Sequence, residues 1–274
     1  MVKIMDINKK YKIIDFHTHP FPTNDYNICS HIEYSNMSEE NTITDLKKLG
    51  IEKICGSVIK KGTATSDTDI WQEILDMNNQ ALELAKRSNG FYIPGFHVHP
   101  EYVKESIAEI ERMDKLGVKL IGELVPYLHR WSDYSDKRFF EILEVAEHYK
   151  MVVNFHALGV EETFNQMDEM VKRFKNLVLV GAHPSEGACL KHHMKRFEIS
   201  DNYYLDTSGG GIFRHGTLRH LIDDYGKEKI LFGSDYPTCN PAMFVGGVAL
   251  DFLISEEEKE YIFYKNAERI LGIK

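Results

Sequence analysis

The 274-residue chain has only four cysteines, Cys29, Cys55, Cys189 and Cys239, and no two form a Cys-x-x-Cys pair. That scarcity excludes a disulfide-stapled scaffold and argues against a closed structural zinc site, which is usually built on thiolates. The four are read as reduced thiols with structural or incidental roles. No apolar run approaches the ~20 residues of a membrane span. The start, Met1 to Asp6, has no apolar core of signal-peptide length, so a cytoplasmic protein with no membrane partner is expected. No Pro/Gly/Ser-rich linker, low-complexity tract or long charge block interrupts the chain, so residues 1–274 are expected to form one domain. Positive charge is in short supply: 33 Lys+Arg face 42 Asp+Glu, a net charge of −9. A uniformly acidic surface repels phosphate backbones, so nucleic acid is not expected as a partner. A small-molecule substrate fits better, and assembly into a homo-oligomer is left open.

What is present is an alternation. Short apolar, β-branched runs occur at Lys12–Phe16, Lys53–Ile59, Phe91–Phe96, Val118–Gly122, Met151–Phe155, Leu177–Val180, Tyr203–Leu205 and Ile230–Phe232. Their starts lie about 25 to 40 residues apart, room for a strand, a loop and a helix. Helical spacing follows several of them, over Ile70–Ser88, Tyr102–Leu116, Lys137–Tyr149, Thr163–Phe174 and His215–Tyr225. Gly50, Gly90, Gly117 and Gly226 stand where helices should stop. Glu256-Glu257-Glu258 reads as a helix start. Continuous apolar strands alternating with amphipathic helices imply a parallel sheet covered by helices. Eight such units in a chain of this length predict a single (β/α)8 TIM barrel, with a doubly wound open sheet as the runner-up. The first βα loop, roughly Thr18 to Thr42, is long for a connector.

The unusual count is histidine, at 13. Barrel chemistry takes place at the C-terminal ends of the strands. There the chain places His17-Thr18-His19, Glu123, His156, His183 and Asp235, all metal-ligand types. Side chains two apart on an extended strand share a face, so His17 and His19 can grip one cation. A second such pair, His97-Val98-His99-Pro100, follows the third strand, and its rings are read as lining or hydrogen-bonding within the pocket. His31, His129, His148, His192, His193, His215 and His220 are read as solvated or packing residues.

These pieces resemble the amidohydrolase superfamily, and most its amidohydrolase-related branch, which includes aminocarboxymuconate-semialdehyde decarboxylase and related lactone hydrolases. The matching segments are Asp15-Phe16-His17-Thr18-His19-Pro20, His156, Gly181-Ala182-His183, Tyr204-Leu205-Asp206-Thr207-Ser208, Phe232-Gly233-Ser234-Asp235-Tyr236-Pro237 and the closing Asn266-Ala267-Glu268-Arg269-Ile270-Leu271-Gly272. The resemblance implies a divalent cation, usually zinc, held by His17, His19, His156 and Asp235, with His183 as a ligand or a catalytic acid/base. Glu123 departs from the decarboxylase-like pattern. It looks like the bridging carboxylate of TatD-type deoxyribonucleases, where six such residues hold two ions.

The expected chemistry is metal-dependent hydrolysis. A bound zinc ion lowers the pKa of its water towards about 7, and a neighbouring carboxylate can take the proton. Asp235 is expected as that base, with the metal and His183 or His156 stabilising the oxyanion, on a small ester, lactone, amide or phosphoester. The alternative is metal-dependent decarboxylation of an aromatic or unsaturated carboxylic acid. Nuclease activity is opposed by the charge, and a structural or sensor metal barrel by the cysteine-free ligand set. Arg130, His99 and Arg214 are the expected substrate-binding residues. Lys60, Lys61, Gly209-Gly210-Gly211, Tyr127, Trp131 and Phe213 lie in the same loops.

Overall fold

The computed structural model describes residues 10–29, 39–60, 69–185, 187–210 and 214–273. Lys61, Gly211, Phe213 and His31 lie outside the described residues. Eight parallel strands follow one another in chain order: β1 (Ile13–Thr18), β2 (Ile51–Ser57), β3 (Tyr92–Phe96), β4 (Leu120–Leu124), β5 (Val152–His156), β6 (Val178–Ala182), β7 (Tyr203–Asp206) and β8 (Ile230–Leu231). The first and last strands meet. Phe16 N–H donates to Phe232 O at 2.8 Å, Asp235 N–H to His17 O at 2.8 Å, and Thr18 bridges Tyr236. Asp15 fastens the same seam, accepting from the Ser234 backbone N–H at 3.0 Å and its hydroxyl at 2.5 Å. The chain is therefore the (β/α)8 barrel that its pattern predicts, and each predicted run overlaps a strand.

One buried layer draws on every strand: Ile14, Cys55, Ile93, Leu120, Val152, Val180, Tyr204 and Leu231, with Ala267 and Leu271 of the closing helix packed on it. Only the barrel interior brings residues of all eight strands together. The larger core fills the space between strands and helices. Each fully buried aliphatic or aromatic side chain there is worth about 1.5–3 kcal/mol. The two-residue period of a strand carries the inward face from this layer to the mouth. On β5 the steps Val152, Asn154 and His156 share a face; on β7, Tyr204 and Asp206 do.

The helices Ile70–Arg87, Val103–Lys115, Lys137–His148, Glu161–Arg173 and Thr217–Tyr225 match the predicted ones to within a few residues. Their starts have chemical causes. Asp69 accepts from Trp71 and Gln72, and Asp136 from Arg138. Ser255 and Glu258 form a capping box that opens Glu256–Glu260. Gly50, Gly90, Gly117 and Gly226 all take positive φ, as helix-stopping glycines do. Two helices escaped the sequence reading. Ala188–Ile199 buries His192, His193 and Arg196, so its inner face does not look apolar. Pro241–Ala249 is apolar all round and shows no stripe. No helix among the described residues is long and apolar enough to cross a membrane.

Candidate functional site

At the mouth of the barrel, His17, His19, Glu123, His156, His183 and Asp235 come together, as the strand-end reading requires. His17 Nε2 lies 3.3 Å from His19 Nε2, 3.3 Å from Glu123 Oε2 and 3.8 Å from Asp235 Oδ1. His19 Nε2 lies 3.2 Å from the same Glu123 oxygen and 3.5 Å from Asp235 Oδ1. The other Glu123 oxygen is 3.1 Å from His156 Nδ1 and 3.1 Å from His183 Nε2. Among the described residues, two triads converge closely: His17, His19 and Asp235, and His17, Glu123 and His183. His156 belongs to neither.

The local fold explains these placements only in part. His156 continues the inward face of β5. His17 and Glu123 do not continue the inward faces of β1 and β4. The strand register shifts between Asp15 and Thr18, and again between Ile121 and Leu124, and these shifts turn both side chains into the mouth. His183 and Asp235 sit just past their strands with φ of +64° and +60°. Such left-handed backbone is uncommon away from glycine and is concentrated at functional sites.

Hydrogen bonds behind the rings settle which nitrogen is bare. His19 Nδ1 faces Ser57 O at 3.1 Å, and a carbonyl only accepts, so Nδ1 carries the hydrogen and Nε2 does not. His17 Nδ1 faces Asp206 Oδ2 at 2.8 Å, with the same consequence. Two bare nitrogens therefore face each other at 3.3 Å, with two carboxylates beside them. Such a set repels itself unless a proton or a cation lies among it. Burial alone pushes the His17 pKa down, but Asp206 and Glu123 outweigh it and hold the ring well above its ordinary value. For Glu123, burial pushes up and His17 and His183 outweigh it, holding the carboxyl well below its usual range. His183 is raised in the same way, burial being outweighed by Glu123. Imidazoles and carboxylates converging on one point fit a divalent cation.

The expected substrate-binding residues are distributed differently. His99 is buried with both ring nitrogens committed to backbone: Nδ1 accepts from Glu101 N–H at 3.1 Å and Nε2 donates to His129 O at 2.7 Å. His97 donates from Nε2 to Val58 O at 3.0 Å and packs on His129. The second histidine pair thus braces loops beside the site, its hydrogen bonds going to backbone. Arg130 is exposed in the loop after β4, between His129 and Trp131. Arg214 lines a separate cavity of about 260 Å³ with Thr207, Leu218, Phe244 and Asp251. A cavity of about 160 Å³ opens directly beside His156, lined by Pro126, Tyr127, Trp131, Tyr134 and Leu158. Asp206 and Ser208 had been noticed in the sequence only as part of a matching segment. Their inward position at the end of β7 was the available signal.

Residues 14–273 match the profile of the Amidohydrolase family (Amidohydro_2). No curated protein matches the sequence. Similar solved structures include 5-carboxyvanillate decarboxylase from Sphingomonas paucimobilis, at 16% identity and a TM-score of 0.70, covering 97% of this chain and 100% of that one. A dihydroxybenzoic acid decarboxylase from Polaromonas sp. JS666, solved with manganese and 2-nitroresorcinol, gives 14% identity and 0.73, covering 96% and 97%. The 2,6-dihydroxybenzoate decarboxylase from Rhizobium gives 14% and 0.67, covering 96% and 99%. The expectation of hydrolysis is corrected by these neighbours, which are decarboxylases of aromatic acids. The physical reason is that a metal cluster of this kind fixes no reaction by itself, because the same cation can activate water or bind a substrate's own oxygens. Nor is zinc supported as the ion, since the dihydroxybenzoic acid decarboxylase was solved with manganese. With a profile match spanning nearly all of its length, this chain belongs to the amidohydrolase family.

Proposed function

We propose that this protein is a metal-dependent decarboxylase of an aromatic or unsaturated carboxylic acid. The observation that carries the reading is the joint one of a five-donor cluster, His17, His19, Glu123, His183 and Asp235, at the mouth of a barrel whose neighbours decarboxylate hydroxylated benzoates. Those five residues would hold the cation, with His156 at their edge. When bound, the cation supplies positive charge that fixes the substrate's carboxylate or hydroxyl oxygens and offsets negative charge developing on them. Manganese is the ion to test first, zinc the second.

Decarboxylation breaks the bond between a ring or vinyl carbon and the carboxylate. That carbon needs a proton, and no water is consumed. Asp235 is the cluster member that faces outwards, with 13% of its side chain exposed where His17, His19, Glu123 and His183 are at 5% or less. In its protonated form it delivers the proton to the carbon bearing the carboxylate. The electron pair of the breaking bond then returns to the π system and carbon dioxide leaves. Asp235 recovers its proton from solvent.

The aromatic cavity beside His156 supports the substrate class. A flat ring packs well against Tyr127 and Trp131, and Tyr134 fixes the floor by donating its hydroxyl to His156 O at 2.8 Å. Arg130, on the same loop, would be the residue to pair with the carboxylate of the acid. Arg214 lines the second cavity, which would take a substituent or a longer chain. The test is a panel of hydroxybenzoates and unsaturated acids incubated with manganese-loaded protein in deuterium oxide. One carbon dioxide per turnover and one deuterium at the vacated carbon are expected. Products that take up oxygen from water, with no carbon dioxide, would remove the proposal.

A further inference from the structure

We propose that Asp206 is a positioning residue that sets two imidazoles of the cluster at once, holding His17 directly and His183 through the hydroxyl of Ser208. The inference rests on the cation-binding reading of the site.

The hydrogen-bond arithmetic is closed. An ionised carboxylate only accepts. Asp206 Oδ2 lies 2.8 Å from His17 Nδ1, so that nitrogen donates. Asp206 Oδ1 accepts from the Ser208 hydroxyl, which has a single hydrogen to give. Ser208 Oγ also lies 3.0 Å from His183 Nδ1, where it has only lone pairs left, so His183 Nδ1 must donate too. Both rings are thereby fixed with Nε2 bare and aimed at Glu123, at 3.3 Å for His17 and 3.1 Å for His183. Asp206 is itself fixed. It is fully buried, and it accepts from Asn154 Nδ2 at 3.2 Å and from Ser208 N–H at 2.9 Å. The backbone is cut to fit the arrangement. A Cβ on Gly233 would sit 2.8 Å from His17 Cβ, and one on Gly209 would overlap the His183 ring. One carboxylate therefore governs ligands supplied by opposite sides of the barrel, β1 and β6.

Carboxylates behind metal-bound histidines fix tautomer and raise basicity, and losing one typically costs 10–100-fold in metal affinity. The test compares wild type, Asp206→Asn, Ser208→Ala and the double variant. Chelator competition measures affinity for Mn²⁺ and for Zn²⁺, and the zinc-loaded proteins are examined for ring N–H proton resonances. Circular dichroism checks that each variant is folded. Ser208→Ala is expected to lose the His183 Nδ1–H resonance, to shift that of His17, whose Nδ1 lies 3.0 Å from the same hydroxyl but keeps Asp206, and to bind metal about tenfold more weakly. Asp206→Asn is expected to disturb both resonances and to cost 10–100-fold, because its amide has one acceptor atom where the carboxylate has two and cannot hold His17 Nδ1 and the Ser208 hydroxyl together. The double variant should bind no more weakly than Asp206→Asn, since the serine acts only through the carboxylate. Unchanged affinity in Ser208→Ala, additive losses, or a loss confined to His17 in Asp206→Asn overturns the shared positioning while leaving the metal site standing. Failure of the wild type to bind either ion overturns the cation reading, and this inference with it.

Discussion

Glu123 reaches His183 with the oxygen that it does not offer to His17: Oε1 is 3.1 Å from His183 Nε2, while Oε2 is 3.3 Å from His17 Nε2. A carboxylate so divided invites a two-ion reading, as in the binuclear enzymes that its position resembles. The triads argue otherwise. Both of those that converge contain His17, and its one bare nitrogen can bind one ion. His156 joins neither. Elemental analysis is therefore expected to find one divalent ion per chain. His19→Ala should lower metal affinity more than His156→Ala does, measured by calorimetry. Two ions per chain, or equal losses, would restore the bridging role.

Asp235→Asn keeps the size of the side chain and removes the acid. Proton transfer by a placed group contributes about 10²–10⁴-fold, so kcat for carbon dioxide release should fall by that factor. The melting temperature should stay near wild type, because Asp235 is the most exposed of the five donors. Metal content is measured alongside, to separate lost proton delivery from lost ion. Full turnover in the metal-loaded variant would assign proton delivery to another group.

Tyr127 is 65% exposed, yet its ring centroid lies 5.3 Å from that of His156. A large aromatic left in solvent beside the cluster is poised to be covered by substrate. Aromatic pairs contribute about 0.5–1.5 kcal/mol beyond area, so Tyr127→Ala should raise KM about two- to tenfold for a ring substrate. For an acyclic unsaturated acid the change should be small. Steady-state kinetics on both substrate types decide it, and equal effects would mean that the ring does not bind there.

Much of this molecule was legible because its signals are local. Val152-Val153-Asn154-Phe155 and the glycine stops report strand and helix ends directly, and strand ends report the ligand set. What was hidden is relational. Nothing local says that β1 and β4 shift register, which is what turns His17 and Glu123 inward. Nothing says that His99 would spend both nitrogens on backbone while His17, in a similar motif, keeps one bare. Asp206 is an ordinary strand-end carboxylate until Ser208 and His17 are seen around it. The reaction was least legible, because hydrolysis and decarboxylation can use the same donors and differ in what the cavity admits.

The metal-free protein should carry a pH signature. The raised His17 pKa means that its pairing with Asp206 and Glu123 stabilises the fold fully below the unfolded histidine value, about 6.5, and is lost as pH rises through the elevated folded value. The depressed Glu123 and Asp206 values act at the other end, stabilising above the unfolded carboxylate range and failing as pH falls. Melting temperature of the metal-free protein should therefore decline on the alkaline side. A bound cation takes the proton's place, so the metal-loaded protein should decline less there. Parallel curves for the two forms would show that these rings are not the groups that pair with the ion.

Arg196 is wholly buried on the far side of β6 and β7, with Nε donating to Asp168 Oδ1 at 2.7 Å and Nη2 to Phe164 O at 3.2 Å. Asp168 also meets Lys195 at 2.7 Å and His192 at 2.8 Å, and these donors outweigh burial to lower its pKa. The network joins the helices Glu161–Arg173 and Ala188–Ile199, and His193 of the second helix touches His183 O at 3.3 Å. Removing one partner of a buried pair leaves the other charge unanswered, at about 3–5 kcal/mol. Asp168→Ala should therefore lower stability by that amount in urea unfolding. Replacing the pair together, Asp168→Leu with Arg196→Met, removes both charges and should recover most of the loss. If the single variant is near neutral, the arginine has found water or another acceptor. The helix behind His183 is then held by its apolar contacts alone.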